Sequence, residues 1–341
     1  MYQCQTALET PSCDSFFIMG NHTVLVLANP TEPQLAMLEV LPPDTGIAVG
    51  NTVEAFQRAA GEADVILNWS NTGALLREVF GRCPRLRWVH SRSAGLEDVL
   101  FPELVASPVP LTNGSGVFSR PLAEFVLGAM LYFAQGFRRL VRNQMAGVWA
   151  PDDIVEISGR TAGIVGYGDI GRAVAARLRA VGMNVVALRR QGSALYHVDP
   201  LVNRIYGHGG LLEMVAQCHY LVVATPLTPQ TRGMIGAQEF AAMRPDTVVI
   251  NVGRGPVIDE AAMIQALTEK RIQGAALDVF DTEPLPPGHP FYQLDNVLLS
   301  PHAADHTPDW LDRAMQFFLE QFERFDKGEE LKNVVEKHLG Y

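Results

Sequence analysis

Cysteine is scarce. The chain has four in 341 residues, Cys4, Cys13, Cys83 and Cys218, and none stand in a CxxC or metal-ligand spacing. That argues against a disulfide scaffold or a metal site and suits a reducing compartment. Positive charge is in deficit, with 27 Lys and Arg against 37 Asp and Glu, a net charge of −10. A nucleic-acid surface needs clustered Lys and Arg, so that class of partner is not expected. An anionic substrate stays open, because a local positive site can sit in an acidic protein. No apolar run approaches the ~20 residues of a membrane span. The start, "MYQCQTALETPSCDSFF", lacks the basic n-region and apolar core of a secretory signal and the arginines of a transit peptide. The expectation is a cytoplasmic protein whose polar first dozen residues form a loose extension.

What is present is ordinary for a folded protein, at 48% apolar and 19% charged residues. The length allows two domains. "HTVLVLANP" (22–30), "ADVILNWSN" (63–71), "LRWVHS" (86–91) and "VPLTNGSG" (109–116) read as short buried strands ending in turns. Helical stretches between them imply a parallel sheet with crossover helices. One long helix is predicted from Pro121 through "LAEFVLGAMLYFAQGFRRLVRNQMAG". Apolar residues nearly encircle it, so it should be buried, partly against another subunit or wholly between domains. The strand–helix pattern restarts at 157–190 and continues through strands near 220–226, 247–253, 274–280 and 296–300. A last helix covers 308–328, ending at Gly328. The fold class is α/β, two doubly wound parallel-sheet domains, one inserted into the other.

"GYGDIG" gives Gly166, Gly168 and Gly171 the G-x-G-x-x-G spacing, with Tyr167, Asp169 and Ile170 between them. It follows the strand "TAGIV" and opens the helix "RAVAARLRAVG", the context a dinucleotide site requires. The first glycine permits the tight turn, the second lets backbone approach a pyrophosphate, and the third lets helix pack on strand. The helix N-terminus supplies N–H donors for the phosphates. An NAD-type site usually carries an acid about 20 residues further on. Here "VVALRRQGS" offers Arg189 and Arg190 instead. A guanidinium cannot accept from a ribose hydroxyl but pairs with a 2′-phosphate. NADP(H) is therefore the preferred cofactor, with NAD(H) possible.

Three later stretches follow predicted strands, where α/β ligands bind: "NVGRGPVIDE" (251–260), "LDVFDTEPLP" (277–286) and "LLSPHAA" (298–304). Each delivers one chemically useful side chain: Arg254, Glu283 and His302. Together with "ISGRTAGIVGYGDIG" and "TPLTPQTRGMI" (225–235), in this order and spacing, they resemble the D-isomer-specific 2-hydroxyacid dehydrogenase family over roughly residues 60–330.

The resemblance implies a flavodoxin-like substrate domain over 1–116, a Rossmann domain over 117–303 and a return to the first over 304–341. It implies reduction of a small 2-oxo acid of the glyoxylate or hydroxypyruvate class. His302 would be the acid/base, Glu283 its partner, and Arg254 the substrate's anchor. Ser93, Ala94 and Gly95 would cradle the substrate carboxylate, and Arg92 would either meet a second acidic group or face outward. Thr225, Pro226, Thr231, Val252, Gly253, Arg254, His302 and Ala304 would line the cofactor cleft, with Asp278 at the nicotinamide amide. A homodimer is the family's usual assembly. Substrate choice would lie in loops such as 68–71 and 91–95. The family often has Gly shortly after the His; here Ala304, Asp305 and His306 follow, and His306 is expected to be peripheral. Two alternatives remain, an NAD-linked dehydrogenase working oxidatively and a non-catalytic NAD(H)-sensing protein like the family's corepressors. A formate dehydrogenase lacks support in the N-terminal sequence.

Overall fold

The computed structural model describes residues 21–70, 72–190 and 199–340. Cys4, Cys13, the N-terminal extension and Asn71 lie outside them. The chain divides into two compact units, each with its own sheet. The first comprises Met1–Arg92, Asp98–Thr112 and Phe318–Val334; the second comprises Ser93–Glu97, Asn113–Phe317 and Val335–Tyr341.

The first sheet is built from β1 (His22–Leu27), β2 (Thr45–Gly50), β3 (Val65–Asn68), β4 (Trp88–Ser91) and β5 (Leu111–Asn113), in the order β2-β1-β3-β4-β5. The pairs from β2 through β4 are parallel. This is the flavodoxin-like order. Residues 24–27 and the whole of β3 and β4 are buried; 24–27 and Val65–Leu67 read accordingly as continuous apolar runs, while Asn68, His90 and Ser91 are buried polar residues at the strand ends. Helices α1 (Gly73–Phe80) and α2 (Pro102–Ala106) belong to this unit. Phe318 stacks on Trp88 at 5.5 Å and 17°, bringing the C-terminal helix onto this core. β2, "TGIAVG", was not expected from the sequence. It is a half-buried edge strand with glycine at its end, where a Cβ on Gly50 would lie 2.3 Å from Ala55 Cβ.

The second unit opens with α3 (Ser119–Ala134) and α4 (Phe137–Ala146). The expected single helix is thus two, because Gly136 turns left-handed at φ 64° and ends the first. Burial within this single chain is confined to the first of the two. α3 buries Leu122, Ala123, Val126, Ala129 and Met130, but no residue of α4 is buried.

The chain continues through β6 (Thr161–Val165), α5 (Asp169–Ala180), β7 (Asn184–Leu188), β8 (Arg204–Tyr206), α6 (Leu211–Val215) and β9 (Tyr220–Val223). It then forms α7 (Ala237–Ala242), β10 (Val248–Asn251), α8 (Glu260–Thr268), β11 (Gly274–Leu277), β12 (Val297–Leu299) and α9 (Trp310–Asp326). The strand order is β12-β11-β10-β9-β6-β7-β8, every pair parallel. Counted within the unit this is the Rossmann order with one strand added at the edge. The order reverses between β6 and β9, so the crevice beyond their carboxyl ends is the natural ligand site.

Cys83 and Cys218 are buried free thiols, and burial pushes both up to about 12. No helix among the described residues is long and apolar enough to cross a membrane.

Candidate active site

At the carboxyl end of β6 two of the three glycines answer steric demands of the fold, and the third faces open space. Gly166 sits at φ 95°, and a Cβ there would strike Ala224 O at 2.7 Å. A Cβ on Gly171 would strike Gly166 O at 2.3 Å, so helix α5 rests directly on the turn. Nothing lies within 4 Å of a Cβ built on Gly168, which therefore faces open space. Gly168 caps α5 without a side-chain hydrogen bond, leaving the first-turn N–H groups of a 12-residue helix for a ligand. An open, donor-rich turn of this kind fits a dinucleotide pyrophosphate.

The residues around the turn are held in place. Tyr167 is buried, and its hydroxyl donates to Asp199 Oδ2 at 3.0 Å; Arg172 pairs with the same carboxylate. Burial, then the Asp199 hydrogen bond, pushes the phenol up to about 12, so it stays a neutral donor. Asp169 accepts from Ser115 Oγ at 2.7 Å, and Ile170 is half-buried in the first turn. Arg189 and Arg190 follow β7 directly. The Arg189 N–H donates to Tyr206 O at 3.0 Å, and the positive charge of Arg189 reaches Tyr167. Thr231 Oγ1 donates to Pro226 O at 2.7 Å and closes that loop. Gly253 packs against the turn after β9, where its Cβ would meet Thr225 O at 2.7 Å. Val252 N donates to Val223 O at 3.0 Å, so the ends of β9 and β10 are tied together.

Arg254 follows at once. Its Nε donates to Glu97 Oε1 at 3.0 Å, its Nη2 to Glu97 Oε2 at 3.5 Å and its Nη1 to Gly253 O at 2.8 Å. The guanidinium lies so close to Gly95 that a Cβ there would be 1.6 Å from Nη2. Asn113 Nδ2 donates to Ala94 O at 2.8 Å and Gly114 N to Ser93 O at 3.2 Å, anchoring the small-residue loop.

Glu283 and His302 meet in the loops beyond β11 and β12. His302 Nδ1 is 2.6 Å from Glu283 Oε2, while Glu283 Oε1 accepts from Phe280 N at 2.9 Å. The hydrogen bond to Glu283 raises the His302 pKa above its ordinary 6.5, and the carboxylate charge adds to it. Burial and the Arg254 charge oppose this without cancelling it. For Glu283, burial pushes upward, but the His302 and Phe280 hydrogen bonds and the charges of His302 and Arg254 outweigh it. The carboxyl ends below its ordinary range. Both shifts favour an imidazolium–carboxylate pair. Nε2 of His302 has no protein partner among the described residues.

His302 is left-handed at φ 51°. One oxygen holds that turn: Asp278 Oδ1 accepts from Ser300 Oγ at 2.6 Å, Ala303 N at 2.9 Å and Ala304 N at 3.1 Å. His306 stands aside, stacked on Trp310 at 4.5 Å and 7°. Arg92 belongs to the other unit, where it lies 5.2 Å from the Trp69 ring centroid and is partly buried. That contact replaces the expected outward-facing alternative.

A family model for the NAD binding domain of D-isomer specific 2-hydroxyacid dehydrogenases matches residues 127–304. The chain belongs to that family. It is 31% identical over 271 residues to a glyoxylate reductase of Korarchaeum cryptofilum, covering 77% of this chain and 80% of that one. It is 29% identical over 298 residues to a D-3-phosphoglycerate dehydrogenase of Methanocaldococcus jannaschii, 85% of this chain but only 55% of that relative. Among solved structures, the NADPH-dependent glyoxylate/hydroxypyruvate reductase of Sinorhizobium meliloti, in complex with NADP and sulfate, superposes with a TM-score of 0.80. Identity there is 29%, over 94% of this chain and all (100%) of that one. The protein is thus an NAD(P)-dependent D-2-hydroxyacid dehydrogenase.

Sequence reasoning missed several supporting residues of this dehydrogenase. Glu97 beside Arg254 and Asp199 beside Tyr167 were not singled out, nor was Asn251, which opens the stretch 251–260, accepts from Gly253 N at 3.0 Å and donates to Arg254 O at 3.1 Å. Only the Asn251 bonds are local enough to be inferred from spacing.

Proposed function

We propose that this dehydrogenase works as an NADPH-linked reductase of glyoxylate- or hydroxypyruvate-class 2-oxo acids, with His302 and Glu283 as the acid/base pair. The observation that carries this reading is the 2.6 Å contact between His302 Nδ1 and Glu283 Oε2, on a ring whose other nitrogen is free to act.

The bound nicotinamide supplies the hydride. The protein's own groups do the rest. Arg254 holds the substrate carboxylate and 2-oxo oxygen through N–H groups not engaged by Glu97 or Gly253, and offsets the charge. Backbone N–H groups of Ala94 and Gly95 approach the same carboxylate, which small residues permit. As negative charge builds on the carbonyl oxygen, His302 Nε2 donates its proton there. Glu283 stays ionised, fixes the ring's orientation and stabilises the imidazolium before transfer.

Arg189 and Arg190, standing where an NAD-type site has an acid, support the preference for NADPH. An apolar face on α4 supports a homodimer. Phe137, Leu140, Val141 and Met145 are exposed there, and Trp149 just beyond is 98% exposed.

Initial rates crossing NADH and NADPH with glyoxylate, hydroxypyruvate, pyruvate and phenylpyruvate test the reading. The highest kcat/KM is expected for NADPH with glyoxylate or hydroxypyruvate. Absence of turnover with every pair would refute it.

A further inference from the structure

Arg254 is held by a carboxylate from a segment far away in sequence, and the way it is held is informative. A guanidinium has five N–H groups in one plane. Glu97 takes Nε and one N–H of Nη2, the side edge of the plane, and Gly253 O takes one N–H of Nη1. One N–H on each terminal nitrogen is left without a protein partner among the described residues. The one left on Nη2 points away from Glu97 along the end-on edge, an edge that suits a second, incoming carboxylate. A competing anion would be expected on that same edge; Glu97 leaves it clear.

The neighbouring residues enforce the arrangement. Leu96 is buried and anchors the loop just before Glu97. Gly95 gives the guanidinium its space, since a Cβ there would overlap Nη2 at 1.6 Å and crowd Glu97 Oε2 at 2.8 Å. Both partners are about one-third exposed, with side-chain values of 30% and 32%. A pair so accessible contributes little to stability, which directs attention to what it does for the arginine.

We propose that Glu97 is a positioning residue. It braces Arg254 along one edge and so presents the other edge to the substrate carboxylate. The proposal rests on the reading of Arg254 as the substrate's anchor. Its ligand class is accordingly a 2-oxo acid with a free carboxylate.

A double-mutant cycle on the full-length enzyme tests it, using Glu97→Ala, Arg254→Ala and the pair together. The readouts are KM for glyoxylate and hydroxypyruvate, kcat, and KM for NADPH. Glu97→Ala is expected to raise the 2-oxo acid KM on the order of tenfold, with the NADPH KM unchanged. Adding it to Arg254→Ala should change nothing further. Glu97→Gln, which keeps an acceptor for one N–H, should recover part of the loss, and Gly95→Ala should reproduce it. If Glu97→Ala proves too unstable to purify, Glu97→Gln alone and combined with Arg254→Ala carries the same comparison. A KM that falls or stays constant in Glu97→Ala, or an equal effect with and without Arg254, overturns the positioning role. An unchanged KM in Arg254→Ala overturns the substrate-anchor reading itself, and the proposal falls with it.

Discussion

Asp278 and His302 are joined through the backbone that flanks the imidazole. A single oxygen of the buried carboxylate accepts from Ser300, Ala303 and Ala304, on both sides of a histidine held at φ 51°. A non-glycine residue persists in that region only when its surroundings over-determine it. Asp278→Ala should therefore release the turn and lower kcat by about 10²-fold, the scale of a small misplacement of a reacting group. Asp278→Asn keeps an accepting oxygen and should lie between the two. Steady-state kinetics at saturating NADPH check this; identical kcat values for Ala and wild type would show that the clamp is idle.

The pH dependence follows from the His302–Glu283 pair. The folded-state pKa of His302 lies above 6.5, so the proton donor persists past that value, and reductive kcat/KM should fall as pH rises through the raised pKa. Glu283→Gln removes the charge and the strongest hydrogen bond, so the fall should move to lower pH. The same shifts bear on stability. The histidine's contribution is complete below 6.5 and lost above its raised pKa; that of Glu283 is complete above 4.5 and lost as pH drops through its lowered pKa. Profiles of wild type and Glu283→Gln that superpose would contradict the pairing.

Cofactor choice is expected to rest on Arg189. Arg189→Asp should weaken NADPH on the order of 10- to 100-fold, the range of a lost charge-assisted contact, while leaving NADH little changed or improved. Titration of each cofactor by fluorescence measures this directly. Equal losses for both would remove the 2′-phosphate role.

The apolar face of α4 predicts self-association. Val141 and Met145 are 54% and 83% exposed, so Val141→Glu with Met145→Glu should fold normally. Light scattering should give a dimer for wild type and a monomer for the variant. A monomeric wild type, or a variant that stays dimeric, contradicts the assignment of this face.

How much of this was legible depended on how locally each feature is written. The glycine turn could be read because Gly166, Gly168 and Gly171 lie in one hexapeptide, two of them with a steric reason and the third facing open space. Fully buried parallel strands showed as apolar runs. β2 and β8 did not, being half-exposed edge strands, one glycine-bounded and the other only Arg204–Tyr206. The predicted continuous helix failed because the apolar pattern runs on through Gly136, and only the backbone reveals the left-handed break. Glu97 was invisible for a different reason: it lies 157 residues from Arg254, and nothing in either neighbourhood encodes the pairing. Arg92 was left open between two roles because its contact with Trp69 is tertiary.

The most direct measurement is the turnover of His302→Gln with glyoxylate and NADPH, alongside the NADPH dissociation constant. Loss of the proton donor should cut kcat by roughly 10²- to 10⁴-fold while NADPH binding stays as in wild type. A variant that reduces glyoxylate at the wild-type rate would contradict the assignment of His302, and with it the proposed mechanism.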